Sequence, residues 1–501
     1  MKIIIPMTGR SSRFKKVGLN TPKQFLKVKN KMVIEHILDM YPNENDINFI
    51  VNISDLNNKN LRPYFNKLEK YNIVEINFQD NGPGAALLES RLLDTDSRTI
   101  INYCDFANIW EWEKVKQKII NEDPDGMVPA YSGLHPHSIY GNDYAFIKSN
   151  NENIVSIKEK QPFTNDKMSE LASTGTYYFK SGYLCKKYIE KVIDKKLFVN
   201  NEIYISTPFE EMIKDNLNVT YLKVDYFFQW GTPEDFKEFK YNLDEVENIQ
   251  SEKTIDLNNI NLVIPAAGEG VRFVNENYLL PKIFLPLIQK PIILNILASF
   301  SNQISTKILL LNKLKKESKQ LFQNKKNVEI IEIENKTKDQ AESAAKLINT
   351  IKNTHPILVH SADCVLDKNL KLPKEIFDIV VFTKSNYRRG FFNYSHYGWV
   401  NSKKSKIESF SIKKKPKYQD SNVISGVFLF KDKNVFNYLY EETKKENLKG
   451  KEMHIDYMVQ TALKRNMKVV QLSSEKTAIL GTPVEYEIFN YMHHVSQYLG
   501  K

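Results

Sequence analysis

A chain of 501 residues is longer than one hydrophobic core keeps growing, so two domains of about 250 residues each are expected. With 42% hydrophobic and 26% charged residues it is neither disordered nor fibrous, and its apolar start, Lys2-Ile-Ile-Ile-Pro6, stops at Gly9 and Arg10, too soon for a signal segment or a membrane span. The formal charge of +11 does not point to nucleic acid, because the lysines are interleaved with Asp, Glu and Asn; the three cysteines, Cys104, Cys185 and Cys364, are too scattered for a disulfide framework or a metal site and fit a reducing cytoplasm.

In chain order, the first element is a strand, Lys2-Ile-Ile-Ile-Pro6, followed by the loop Met7-Thr-Gly9-Arg-Ser11-Ser12-Arg13-Phe14 and then by Thr21-Pro22-Lys23-Gln-Phe25. A Gly-containing loop between a strand and a helix lets backbone N–H groups approach a polyphosphate, with Gly9, Ser11 and Ser12 as the nearest candidates. Arg13 is placed to neutralise the outer phosphates. Lys23 follows a proline that fixes the local backbone, so its ammonium can act on an α-phosphate as a compact charge.

A helical pattern over 32–40 and an apolar β-branched run over 47–53 come next. The glycine-rich segment Gln79-Asp-Asn-Gly82-Pro-Gly84 follows, and then an apolar strand ending in Asp105, where a Mg²⁺ ligand belongs. By themselves the glycines read equally as a tight turn, and Asp105 as a helix cap. His135 and His137 read as surface loop residues. Glu159-Lys160 stands at a strand end, and Ser173-Thr-Gly175 turns into another strand. The half closes on Gly231-Thr-Pro-Glu-Asp.

The whole order then repeats. Asn261-Leu-Val-Ile-Pro265 leads to Ala266-Ala-Gly268-Glu-Gly270-Val-Arg272-Phe273 and to Leu280-Pro281-Lys282, with Gly9 to Gly268, Arg13 to Arg272 and Lys23 to Lys282 all 259 apart (268 − 9, 272 − 13, 282 − 23). Asp363 ends the strand equivalent to that of Asp105, and Gly426 and Gly481-Thr-Pro echo Gly175 and Gly231-Thr-Pro. The polar stretch from Leu243 to about Leu257 shows little periodicity and marks the boundary, giving domains at 1–245 and 258–501. Short apolar strands alternating with helix-length segments predict two tandem α/β, Rossmann-like domains with mainly parallel mixed sheets, binding ligands at the C-terminal strand ends.

These motifs closely resemble the nucleotidyltransferase family that makes sugar nucleotides and related activated alcohols, especially its bacterial surface-polysaccharide branch, whose first motif reads roughly IPMAGxGSRF…PK. The resemblance implies a GT-A type core and Mg²⁺-dependent attack of an acceptor phosphate on the α-phosphorus of a nucleoside triphosphate, with release of pyrophosphate. It gives Arg13 and Arg272 contacts with the leaving phosphates, and Lys23 and Lys282 the α-phosphate. Asp105 and Asp363 receive the metal. Gln79, Gly82 and Gly84 receive the base, Glu159 and Lys160 the acceptor, and Gly175 floors the acceptor site; Gly268 and Gly270 repeat the phosphate loop.

The sequence also departs from that pattern. Many members carry a second metal-binding aspartate two residues before the Gly-Thr-Pro turn; here Gln229 and Ile479 stand there, and Ile479 cannot ligate. Ser11 replaces a loop glycine in the first half, and Asp339 replaces a base-segment glycine in the second. The first half is therefore expected to be the catalytic one, with the second active on another substrate or a regulatory or scaffolding copy. Two rivals remain: a GT-A glycosyltransferase, although no Asp-x-Asp is visible at Asp105 or Asp363, and a nucleotide-binding assembly protein of degenerate copies. A homo-oligomer stays open.

Overall fold

The computed structural model describes residues 1–77, 81–139, 141–257, 259–373, 375–385, 387–403, 406–446 and 452–500. The chain divides into two compact units, Met1–Lys240 with His494–Lys501, and Tyr241–His493. Each is a mixed α/β unit built on one large sheet.

In unit 1 the sheet runs Leu171–Ser173, Ala145–Asn150, Asn153–Glu159, Val219–Lys223, Gly126–Tyr131, Thr176–Phe179, Thr99–Asn102, Lys2–Pro6, Ile47–Asn52 and Asn72–Ile76. The last four are parallel, with Lys2 opposite Thr99 and Ile3 opposite Ile47. Thr176–Phe179 then enters antiparallel between Thr99–Asn102 and Gly126–Tyr131. Ile3, Ile4, Ile5, Phe49, Ile50 and Ile101 are buried because helices cover both faces, which is why these strands read as continuous apolar runs and not as alternating ones. Each such side chain contributes about 1.5–3 kcal/mol of burial.

Unit 2 repeats the arrangement. Val328–Ile333, Ser305–Leu311, Asn261–Pro265 and Ile357–His360 are parallel; Asn422–Phe430 enters antiparallel, followed by Ile379–Lys384 and Val469–Ser473. The registers match those of unit 1: Asn261 faces Ile357 as Lys2 faces Thr99, and Leu262 faces Thr306 as Ile3 faces Ile47. Gly398–Lys403 and Lys406–Ile412 form a hairpin on this sheet, as Ala145–Asn150 and Asn153–Glu159 do in unit 1.

The expected loose boundary is instead helical. Pro233–Gln250 is one continuous helix, and its last turns from Tyr241 onward belong to unit 2. Leu243, Val246 and Ile249, three residues apart, are buried there, and so are Asn242, Glu245 and Asn248. Lys384 donates to the Glu245 carboxylate, and Asn248 bonds the carbonyl of Leu366 and the amide of Lys368, both at 2.8 Å. Polar residues that are themselves buried and partnered hid the helical stripe.

All three cysteines are free and buried. No described helix is long and apolar enough to cross a membrane.

Candidate active site

The loop after Lys2–Pro6 leads into a short helix, Ser12–Lys16, whose preceding residue Ser11 has φ 48° and ψ 33°. In unit 2, Gly270 takes the same left-handed conformation, φ 64° and ψ 35°, before Val271–Asn275. Ser11 thus adopts a glycine geometry at a cost of roughly 1–2 kcal/mol, and its hydroxyl accepts the Lys23 amide at 3.3 Å. Gly9 and Gly268 differ from these: a Cβ at either would meet nothing within 4 Å. Nothing in the fold demands glycine there, whereas a ligand approaching the backbone would.

Pro22 and Pro281, each at φ −54°, open matching 3₁₀ turns, Lys23–Phe25 and Lys282–Phe284. Phe25 and Phe284 are buried and anchor the turns, so the two lysines are aimed inward. Lys23 Nζ lies 2.5 Å from Asp105 Oδ2, and Lys282 Nζ lies 3.0 Å from Asp363 Oδ2. The expected phosphate lysine and the expected metal aspartate are therefore ion-paired in both units, a contact that sequence alone does not reveal. Burial alone would lower the Lys23 pKa, but the Asp105 carboxylate outweighs it and leaves the ammonium above its ordinary value. Burial likewise pushes the Asp363 carboxyl up, and Lys282 and the Ser361 hydroxyl overcome it, leaving it below the usual range.

Neither aspartate is a helix cap. Each sits in the turn after its strand, its carbonyl accepting from the residue before the Gly-Thr-Pro turn: Trp230 to Asp105 and Leu480 to Asp363, both at 2.7 Å. The glycine of that turn keeps the carboxylate accessible, since a Cβ on Gly231 would stand 3.1 Å from Asp105 Oδ2. Gly175, at φ +100°, has no room for a side chain, because a Cβ would come within 2.7 Å of the Phe106 ring.

In unit 1 these groups line one cavity of about 480 Å³. Its lining includes Gly9, Ser11, Ser12, Arg13 and Lys23, Asp105 with Gln229 and Gly231, and Glu159, Lys160 and Gly175. Gly82 lines it too, but Gly84 is occupied elsewhere: its amide donates to Ile203 O at 3.0 Å, and a Cβ would meet Ile203 Cγ2 at 2.4 Å. Gln79 lies outside the described residues. Sequence reasoning missed Tyr103, Asp143, Tyr144, Glu202, Tyr204 and Asp235, which also line the cavity. Asp235 ends the Gly231-Thr-Pro-Glu-Asp segment without having been given a role, and the others carry no local motif because they arrive from separate strands and turns.

Glu159 is buried, and Ser206 Oγ donates to its carboxylate at 2.6 Å. Burial pushes its pKa up to about 7, against the opposing influence of Ser206 and Lys160. Lys160, in the left-handed region at φ 57°, reaches the Tyr204 hydroxyl at 2.8 Å. His135 is not a surface residue: it is buried and stacked on Phe227 at 4.1 Å, its Nε2 2.8 Å from Phe227 O, and burial lowers its pKa to about 3. The side chain of His137 lies outside the described residues.

Unit 2 holds Gly268, Gly270, Arg272, Lys282 and Asp363 in the same order, but its Gly-Thr-Pro corner is filled. Ile479 packs with Tyr387, Trp399 and Val423, and the hydroxyls of Tyr387 and Tyr397 both donate to the buried Glu485 carboxylate. Asp339 turns its side chain back to cap Gln340–Asn349, accepting from Glu342 N at 2.9 Å.

Residues 261–477 match the model of the nucleotidyl transferase family. No curated protein sequence matches the chain. Among solved structures it is similar to a nucleoside-diphosphate-sugar pyrophosphorylase from Vibrio cholerae RC9 (20% identity, 48% of this chain and 99% of that one, TM-score 0.39). It is also similar to an inositol-1-phosphate CTP transferase from T. maritima (12%, 47% and 96%, TM-score 0.37) and to a UDP-glucose pyrophosphorylase complexed with UDP-glucose (18%, 47% and 96%, TM-score 0.38).

Proposed function

We propose that this nucleotidyltransferase joins a nucleoside triphosphate to a sugar phosphate or small alcohol phosphate in unit 1, for surface polysaccharide or glycoconjugate synthesis. The observation that carries this reading is the unit 1 cavity, in which a phosphate-type loop, a lysine–aspartate pair and a buried carboxyl line one space. The acceptor phosphate oxygen forms a bond to the α-phosphorus, the α–β oxygen bond breaks, and pyrophosphate leaves with the bonding electrons. Arg13 and the loop amides hold the charge that develops on the leaving group. Lys23 turns from Asp105 to the α-phosphate, and Glu159 and Lys160 fix the acceptor so that its oxygen is in line.

Mg²⁺ fits the donor set, since this ion takes one or two carboxylates and completes its shell with phosphate oxygens and water. Among the described residues no three His, Cys, Asp or Glu side chains are grouped to hold a metal, so Asp105, with the amide oxygen of Gln229, would hold it chiefly through the triphosphate. The buried Gln229 Nε2 lacks a hydrogen-bond partner, leaving this amide uncommitted on its nitrogen side. Bound there, Mg²⁺ supplies neutralisation of the triphosphate.

A screen of pyrophosphate release, each of the common NTPs against hexose, alditol and inositol phosphates, tests the reading. Release with one pair, lost in excess EDTA, is the expected result; no release with any pair, or full turnover in EDTA, counts against it.

A further inference from the structure

Three correlated changes between the units concern one spot. In the unit 1 hairpin, Glu159 pairs with Ala145; in unit 2, Ile412 pairs with Gly398 at the same register. The next residues, Lys160 and Lys413, are both left-handed, φ 57° and 51°, and their amides donate to Tyr144 O and Tyr397 O at 3.0 and 2.9 Å. The opposing segment is fixed as firmly, because the Gly84 amide donates to Ile203 O and the Ala341 amide to Met453 O. Three residues on from each carbonyl stand Ser206 and Asp456. Thus the pair Glu159 and Ser206, hydrogen-bonded in unit 1, is replaced by Ile412 and Asp456.

The third change makes room for the exchange. A Cβ at Gly398 would stand 2.9 Å from Asp456 Cγ and Oδ2 and 3.1 Å from Oδ1, so the carboxyl occupies the space that the Ala145 methyl fills in unit 1. The carboxyl has moved from the strand to the opposing segment, and the lysine beside it has stayed. Both carboxyls are held above the ordinary range by burial, Asp456 at about 6 with Lys413 opposing. Glutamate lost by drift would not bring with it a second carboxylate and the glycine that admits it. The surroundings have also changed: by the same registers His454 replaces Tyr204 and His396 replaces Asp143, and the charges of Arg272 and Lys413 act on both histidines.

We propose that unit 2 keeps an acceptor site of its own for a phosphorylated polyol, in which Asp456 takes the hydroxyl-binding place that Glu159 takes in unit 1. This rests on the reading of Glu159 as an acceptor contact. Lys413 faces the phosphate side, and His396 and His454 give the site a different selectivity from that of unit 1.

Calorimetric titration of the full chain, singly with glucose 1-phosphate, ribitol 5-phosphate and glycerol 3-phosphate, tests the proposal. Two binding events are expected across the three probes. Asp456→Asn, nearly isosteric and foldable, should weaken one event about tenfold or more, the effect of losing a charged hydrogen-bond partner, and leave the other. Gly398→Ala, which pushes the carboxyl aside, should act on the same event; Glu159→Gln should weaken only the other. One event, lost in Glu159→Gln and untouched by Asp456→Asn and Gly398→Ala, overturns the second site and leaves the unit 1 reading intact. An event sensitive only to Asp456→Asn supports the second site and removes the unit 1 reading, and no binding of any probe overturns both.

Discussion

The corner beside the Gly-Thr-Pro turn separates the two units more sharply than any motif does. In unit 1 that corner is part of the cavity, with Gln229 and Asp235 lining it beside Asp105. In unit 2 it is closed by Ile479, Tyr387, Tyr397 and Glu485, while the lysine–aspartate pair next to it is kept. Two similar frames therefore each carry the lysine–aspartate pair, and among the described residues the corner beside it lines a cavity in unit 1. The family match and the described cavity fall on different units, the match on 261–477 and the cavity on unit 1.

The largest expected effect follows from that corner. Asp105→Asn should lower pyrophosphate release by about a hundredfold or more, the scale of one lost preorganised electrostatic contact of roughly 3 kcal/mol; Asp363→Asn in the same assay should cost far less. Equal losses would erase the distinction between the units.

Next in size are the floor glycines, where the units should agree. Gly175→Ala forces a methyl against Phe106 at positive φ, and Gly426→Ala forces one to within 2.4 Å of Ser361 Oγ at φ +84°. Each should destabilise its unit by roughly 2–4 kcal/mol in denaturant unfolding.

A smaller effect is set by pH. The Glu159 pKa is raised in the folded chain to about 7, so the native state binds a proton that the unfolded state releases near its ordinary value of 4.5. The stability from this group is present below pH 4.5 and lost as pH rises through 7, on the order of 3 kcal/mol. Glu159→Gln should remove that slope from the unfolding free energy measured between pH 4.5 and 7.5; an unchanged slope would show that the carboxyl is solvated.

The smallest change in stability is expected at Gly9→Ala, within about 0.5 kcal/mol, because its Cβ meets nothing. Turnover should nonetheless fall, since the methyl would enter the space of the phosphates. A variant that loses stability and keeps its rate would make Gly9 an ordinary turn residue.

Much of this was legible in the sequence for a local reason. The phosphate loop, the Pro-Lys turn and the strand-end aspartate are short motifs, and a constant spacing of 259 repeats them. What could not be read is what distant residues do to each other. Lys23 meets Asp105 across 82 residues, and His135 is buried by Phe227 across 92. The exchange of Glu159 and Ser206 for Ile412 and Asp456 becomes visible only once strand register aligns the halves. The helix Pro233–Gln250 escaped because Asn242, Glu245 and Asn248 interrupt its apolar periodicity in the sequence, whereas partners such as Lys384 and Leu366 bury Glu245 and Asn248.

The central claim, that unit 1 carries the transfer, is tested most directly by pyrophosphate release from Lys23→Ala and Lys282→Ala with the substrate pair found by the screen, folding checked for both. Each lysine pairs with its aspartate in the same way, so the two substitutions remove the same interaction from the two units. The account predicts that Lys23→Ala removes nearly all turnover and Lys282→Ala leaves most of it. Turnover that survives Lys23→Ala and disappears in Lys282→Ala would place the reaction in unit 2 and contradict the account.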